Sequence, residues 1–120
     1  MTAPNLKSPT TITGKTAAVN LSTTAVTSVL ANSAASNKVL KINSIFSANV
    51  NGTVASDISI SIYDGSSDVY LAYTISVPPD ATQIISTKET YFYLEEGYSI
   101  RATAGTANAI NIVVGYEEIT

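Results

Sequence analysis

The sequence contains no cysteine, no histidine and no tryptophan. Without a thiol there is no disulfide, no thiolate nucleophile and no thiolate metal ligand. Without an imidazole, the commonest general base and the commonest neutral metal ligand are both missing. Charge is scarce as well: 12% of residues are charged, against roughly 25% in an ordinary soluble domain. The net charge is −3, and the basic residues Lys7, Lys15, Lys38, Lys41, Lys88 and Arg101 are scattered. Phosphate binding needs clustered Lys and Arg, so no nucleic-acid partner is expected. No stretch approaches the ~18 consecutive apolar residues of a membrane helix, so no membrane partner is expected either. The start, Met1 to Lys7, lacks the basic and apolar regions of a secretory signal. That predicts a protein assembled in a cytoplasm.

Motifs of catalysis are missing too. There is no Gly-x-Ser-x-Gly elbow and no Gly-x-x-x-x-Gly-Lys-Ser/Thr phosphate cradle. The acids Asp57, Asp64, Asp68, Asp80, Glu89, Glu95, Glu96, Glu117 and Glu118 fall mostly in turns, at strand ends or in Glu-Glu pairs. A glycosidase needs two carboxylates facing each other across a cleft, and nothing here arranges them so. Asp64-Gly65-Ser66-Ser67-Asp68 resembles part of a calcium loop but lacks the alternating ligands and the closing glutamate. It reads as a hairpin loop capped by Asp64. The expectation is a non-enzymatic chain with no cofactor and no metal.

What is present is period-two alternation, the mark of half-buried strands. In Ser56–Asp64, Ile58, Ile60 and Ile62 face one way while Asp57, Ser59 and Ser61 face the other. A helix would scatter those isoleucines around its axis. Ile110, Ile112, Val114 and Tyr116 form a second such face. Val69, Leu71, Tyr73, Ile75 and Val77 are expected to form a third. Leu40, Ile42, Phe46, Ala48 and Val50, interrupted by Ser44, are expected to form a fourth, and Tyr98, Ile100, Ala102 and Ala104 a fifth. Shorter candidates are Thr16–Leu21, Val26–Ala31, Thr82–Thr87 and Tyr91–Leu94. Turns separate them: Asn51-Gly52, suited to positive φ, the Asp64–Asp68 loop, Pro78-Pro79-Asp80, Glu95-Glu96-Gly97 and Ala104–Ala107. Ala31 to Asn37 reads as a loop, with a short helical turn as the alternative.

The predicted fold is therefore all-β. We expect a single antiparallel β-sandwich, jelly-roll or immunoglobulin-like, of about eight strands, with a small barrel as the alternative closure. Residues 1–14 carry Pro4, Pro9 and Gly14 without apolar periodicity, and are expected to form an extended N-terminal arm. Residues 15–120 are expected to form the domain.

Seven tyrosines invite a binding role. Tyr91 and Tyr93 share one face of a strand, and Tyr63 and Tyr70 flank the Asp64–Asp68 loop with the potential to pair across it. Exposed tyrosines either stack on sugar rings or pack a subunit interface. Tyr70, Tyr91 and Tyr93 are the partner-binding candidates. A charge-poor surface bearing Tyr is itself suited to burial by partners, because interface cores are depleted in charge and enriched in Tyr.

Taken in order, Val39–Ile45, Ala48–Gly52, Ile58–Tyr63, Tyr70–Pro78, Tyr93–Gly97 and Val113–Ile119 resemble the small β-sandwich virion structural proteins of tailed phages, cyanophage-type viruses included. The resemblance covers roughly the last two thirds of the chain. It implies a capsid decoration or cement protein that stabilises the phage head, or a neck or tail component, located in the virion after assembly in a bacterial host cytoplasm. It implies the major capsid protein or other virion proteins as partners, and a homo-oligomer, often a trimer. An N-terminal arm often grips the shell in such proteins, which makes Pro4, Leu6, Lys7 and Pro9 further candidates for partner contact. A glycan- or receptor-binding module on a virion or cell surface is the alternative.

Overall fold

The computed structural model describes residues 4–120, and Met1 to Ala3 of the expected arm lie outside the described residues. The chain forms β1 (Ile12–Asn20), β2 (Thr27–Ala31), β3 (Val39–Asn49), β4 (Ser56–Tyr63), β5 (Asp68–Val77), β6 (Thr82–Ser86), β7 (Phe92–Leu94), β8 (Ser99–Ala104) and β9 (Ile110–Ile119). A 3-10 turn, Lys88–Thr90, stands between β6 and β7. Every strand pairing is antiparallel.

Two sheets result. The first, sheet A, runs β1-β9-β3-β6, with β7 also on β3, and the second, sheet B, runs β2-β8-β4-β5. β6 covers Ile45–Ala48 of β3 and β7 covers Leu40–Ile42, so the two are one strand position interrupted by the 3-10 turn. Counted that way, the first strand pairs with the last, the second with the penultimate, and so inward to the β4–β5 hairpin. This rolled-up hairpin is the jelly-roll form of the sandwich, not the immunoglobulin form. The inner faces meet over Leu21, Ile42, Ile45, Ile58, Ile60, Val77, Leu94, Ile100, Ile110, Ile112 and Val114, all buried.

Three local expectations change. Ile42, Ile45 and the rest of β3 do not keep one parity, because a bulge at Asn43 shifts the register against β9. Ile42 and Ile45 both point inward, and Phe46 and Ala48 turn outward. β5 carries two irregularities against β4, and Thr74 there has φ 48°. The strand therefore buries Ala72 and Val77 and exposes Val69, Leu71 and Tyr73. Finally, β1 begins at Ile12, so residues 12–14 belong to the sheet and not to an arm. Ahead of it the chain turns at Asn5–Ser8, and Thr10 and Thr11 donate to the Thr120 carbonyl.

Turn chemistry also differs in detail. Asn51-Gly52 is not a positive-φ turn; Asn51 Oδ1 accepts from the amides of Thr53 and Val54 instead. Pro78–Ala81 closes with an i to i+3 bond and Asp80 at φ 58°, the backbone of a type II turn. Asp64 caps its loop as expected: the amides of Ser67 and Ser66 donate to its carboxylate and hold its pKa below the ordinary range.

Two buried asparagines tie the sheets together at opposite ends of β3. Asn49 Nδ2 donates to the carbonyls of Val54 and Val77, each at 2.9 Å, and its Oδ1 accepts from Asn51 N. Asn32 Nδ2 donates to the carbonyls of Lys38 and Leu94, and its Oδ1 accepts from Ser36 Oγ. Val77 belongs to the sheet opposite Asn49, and Leu94 to the sheet opposite Asn32.

Close approach fixes one glycine. A Cβ on Gly115 would lie 2.9 Å from Ser44 Oγ on the neighbouring strand. Gly115→Val is expected to cost about 1–3 kcal/mol through overpacking. Ser44→Ala in the same chain recovers part of that loss in urea denaturation.

Candidate docking face

The register of sheet A lines up its outward side chains in rows. Ala18 of β1 lies opposite Val113 of β9, which lies opposite Phe46 of β3, which lies opposite Ile84 of β6. Four adjacent strands thus present one apolar row to solvent. Phe46 is 37% and Ile84 53% exposed. The next row is Asn20, Asn111, Ala48 and Thr82, and on the other side come Thr16, Gly115 and Ser44. None of these residues carries charge.

Charge and aromatic rings gather at one end of that face. Gly14, Glu117, Lys41 and Tyr93 form the row beyond Thr16, Gly115 and Ser44. Lys41 Nζ sits 4.4 Å from the Tyr91 ring centroid, and Tyr91 meets Tyr93 edge to face at 5.8 Å. Asn43, the bulged residue, donates to Glu117 Oε1 at 3.0 Å. Tyr91 and Tyr93 do lie together, but not on one strand face as expected: Tyr91 caps the 3-10 turn ahead of β7 and Tyr93 belongs to β7.

Tyr70 lies on the opposite side of the molecule. On the outer side of sheet B, Arg101 Nη2 is 3.2 Å from Asp68 Oδ2, and Ser61 Oγ donates to Asp68 Oδ1 at 2.8 Å. The Tyr63 ring lies 4.1 Å from the guanidinium carbon of Arg101. Tyr70 packs edge to face on Tyr73 at 4.7 Å, not on Tyr63, because Tyr63 pairs with Asp68 in the ladder. The two outer sides differ in kind: one is apolar and neutral across its middle, the other is organised around an ion pair.

Among Pro4, Leu6, Lys7 and Pro9, Leu6 and Lys7 are exposed and Pro4 and Pro9 half-buried. The Lys7 amide is taken by Asn5 Oδ1. Phe46, Ile84, Val113 and Ala18 were missed by alternation alone. The row exists only once strands far apart in sequence are paired, and unbroken alternation, which passes over the bulge at Asn43, puts Phe46 on the core face.

Two depressions among the described residues are small. One depression of about 220 Å³ lies along β1 and β9, beside Ala18 and Val113, and one of about 120 Å³ lies beside Asn32, Tyr116 and Glu118. Both fall short of the roughly 300 Å³ at which small-molecule sites begin. Among the described residues, no three His, Cys, Asp or Glu side chains gather as metal ligands.

Glu118 is held by two lysines, Lys15 at 3.1 Å and Lys38 at 3.2 Å. Lys15 first, then Lys38, lowers its pKa from the ordinary 4.5. A depressed carboxylate stabilises the fold above its unfolded pKa, and that contribution disappears as pH falls through the folded value. Both lysines are well exposed, so the effect is under about 1 kcal/mol. Thermal melts of Glu118→Gln are expected to lose less stability than wild type as pH falls below 4.5.

No protein-family model matches this chain. No curated protein is significantly similar to it in sequence.

Proposed function

We propose that this chain is a non-enzymatic structural protein of a virion, a decoration or cement protein that docks on the head shell through the outer face of sheet A. The carrying observation is the uncharged row Ala18, Val113, Phe46 and Ile84 across four strands. An apolar face of this kind loses little on desolvation and gains by burial. Lys41, Tyr91 and Tyr93 supply amphipathic contacts at its rim, where aromatic rings are favoured. The head of a tailed phage as the particle rests on the sequence resemblance. Jelly rolls build viral shells and lectin domains alike, so the fold is compatible with docking without selecting it.

The test compares particles with and without the protein. Particles lacking it are expected to lose heat resistance, and added purified protein is expected to restore it. Equal heat resistance in both, with no uptake of added protein, contradicts the reading. A protein found only at a neck or tail ring would move the docking site there.

A second reading has its own observation. Tyr70 and Tyr73 are exposed beside the Arg101–Asp68 pair, which gives sheet B stacking rings next to polar groups able to meet sugar hydroxyls. Glycan binding lost on Tyr70→Ala would favour it, and silence across a broad glycan array would count against it.

A further inference from the structure

The four sheet edges are not alike. β5 is broken by two irregularities against its neighbour, β2 by one, and β6 is five residues long with one of its own. Such features keep edges from pairing with other chains. β1 has none of them. It is nine residues long, free of proline, and holds a constant register with β9 from Ile12 to Asn20. Among the described residues it pairs with β9 alone.

The free groups on this edge can be named. Thr11 and Thr120 exchange backbone bonds, and Leu21 N donates to the Ile110 carbonyl, so the odd-numbered residues at both ends of β1 turn toward β9. Antiparallel ladders alternate, so Ile12, Gly14, Thr16, Ala18 and Asn20 direct their N–H and C=O groups away from β9. Only one residue of β1, Lys15, carries charge.

We propose that this edge pairs with the β1 edge of a second copy, antiparallel about Thr16. In that register Thr16 meets Thr16, Gly14 meets Ala18 and Ile12 meets Asn20, and each pair exchanges two backbone bonds. Lys15 falls opposite Ala17, so no like charges meet. Small side chains at positions 14, 16 and 18 let the strands approach closely. Paired residues share a face, so the two sheets join and both outer faces look the same way. The pairing stands apart from what that face docks on. It yields a two-fold dimer, not a trimer.

The test uses the full chain at high micromolar concentration. Wild type is expected at the mass of two copies. Thr16→Lys and Thr16→Glu each place like charges on the two-fold axis and are expected at the mass of one copy, folded, with melting temperatures that no longer rise with protein concentration. Mixed in equal amounts, the two variants are expected to recover the two-copy mass. In amide exchange, Gly14, Thr16 and Ala18 are expected to be protected in wild type and at least tenfold less so in Thr16→Lys. A wild-type chain at the mass of one or three copies overturns the proposal. So does a Thr16→Lys chain that stays paired, or rapid exchange at those amides in wild type, a measurement that needs no variant to fold.

Discussion

Asn49→Ala is expected to lower the stability of the fold by about 3 kcal/mol, a drop of roughly 12 °C in melting temperature for a domain of this size. The side chain is 2% exposed and satisfies three backbone groups: the carbonyls of Val54 and Val77 and the amide of Asn51. Alanine removes all three partners and leaves the Val77 carbonyl in a dry interior. A buried acceptor without a donor costs far more than the net gain of an ordinary hydrogen bond. Asn49→Asp is expected to be worse at neutral pH, because it would set an unpaired carboxylate against two carbonyl oxygens. Asn20→Ala is the control: that side chain is exposed and bonded to Asn111, and its loss is expected within about 0.5 kcal/mol. Urea denaturation of the three variants separates these outcomes. Equal losses for Asn49→Ala and Asn20→Ala would remove the bridge between the sheets from the account.

The second large effect concerns docking. Phe46→Lys combined with Ile84→Lys is expected to weaken binding to the particle by at least about 100-fold, or about 2.7 kcal/mol. Both side chains project from the outer face of sheet A, so the change spares the core. It places two charges where docking would strip their water without supplying a counter-charge. The melting temperature is expected to stay within a few degrees of wild type. Tyr70→Ala with Tyr73→Ala, on the other side of the sandwich, is expected to leave particle binding unchanged. Sedimentation of variant protein with particles lacking it reads both results. The reverse pattern would transfer the functional role to the face around Arg101 and Asp68.

Much of the architecture was legible in residue order. Ile58, Ile60 and Ile62, and Ile110, Ile112 and Val114, alternate without a break, and their strands lie where alternation puts them. Turn residues marked the gaps between strands. Side-chain direction was legible only as far as the first bulge. An extra residue at Asn43 in β3, and the irregularities of β5 around Thr74, each reverse the parity downstream. No composition rule marks those places, because bulges answer to the pairing strand. That is why Phe46 and Tyr73 were assigned inward and stand outside.

The candidate site was less legible than the fold, for the same reason. The contact of Tyr91 with Tyr93 is local and could be read from spacing. The row from Ala18 to Ile84 joins residues far apart in sequence, and only the register reveals it. Asn32 and Asn49 look like ordinary turn formers in sequence, yet each is buried and spans the two sheets. Nothing in the local sequence distinguishes them from Asn51, which caps an exposed turn.

The most direct measurement is an electron cryomicroscopy reconstruction of an intact particle containing the chain. The account predicts density for the jelly roll on the head shell, with Phe46, Ile84 and Val113 buried against the neighbouring subunits and Tyr70 and Tyr73 facing solvent. A reconstruction in which the outer face of sheet A faces solvent, or in which the protein is absent from the particle, would contradict it.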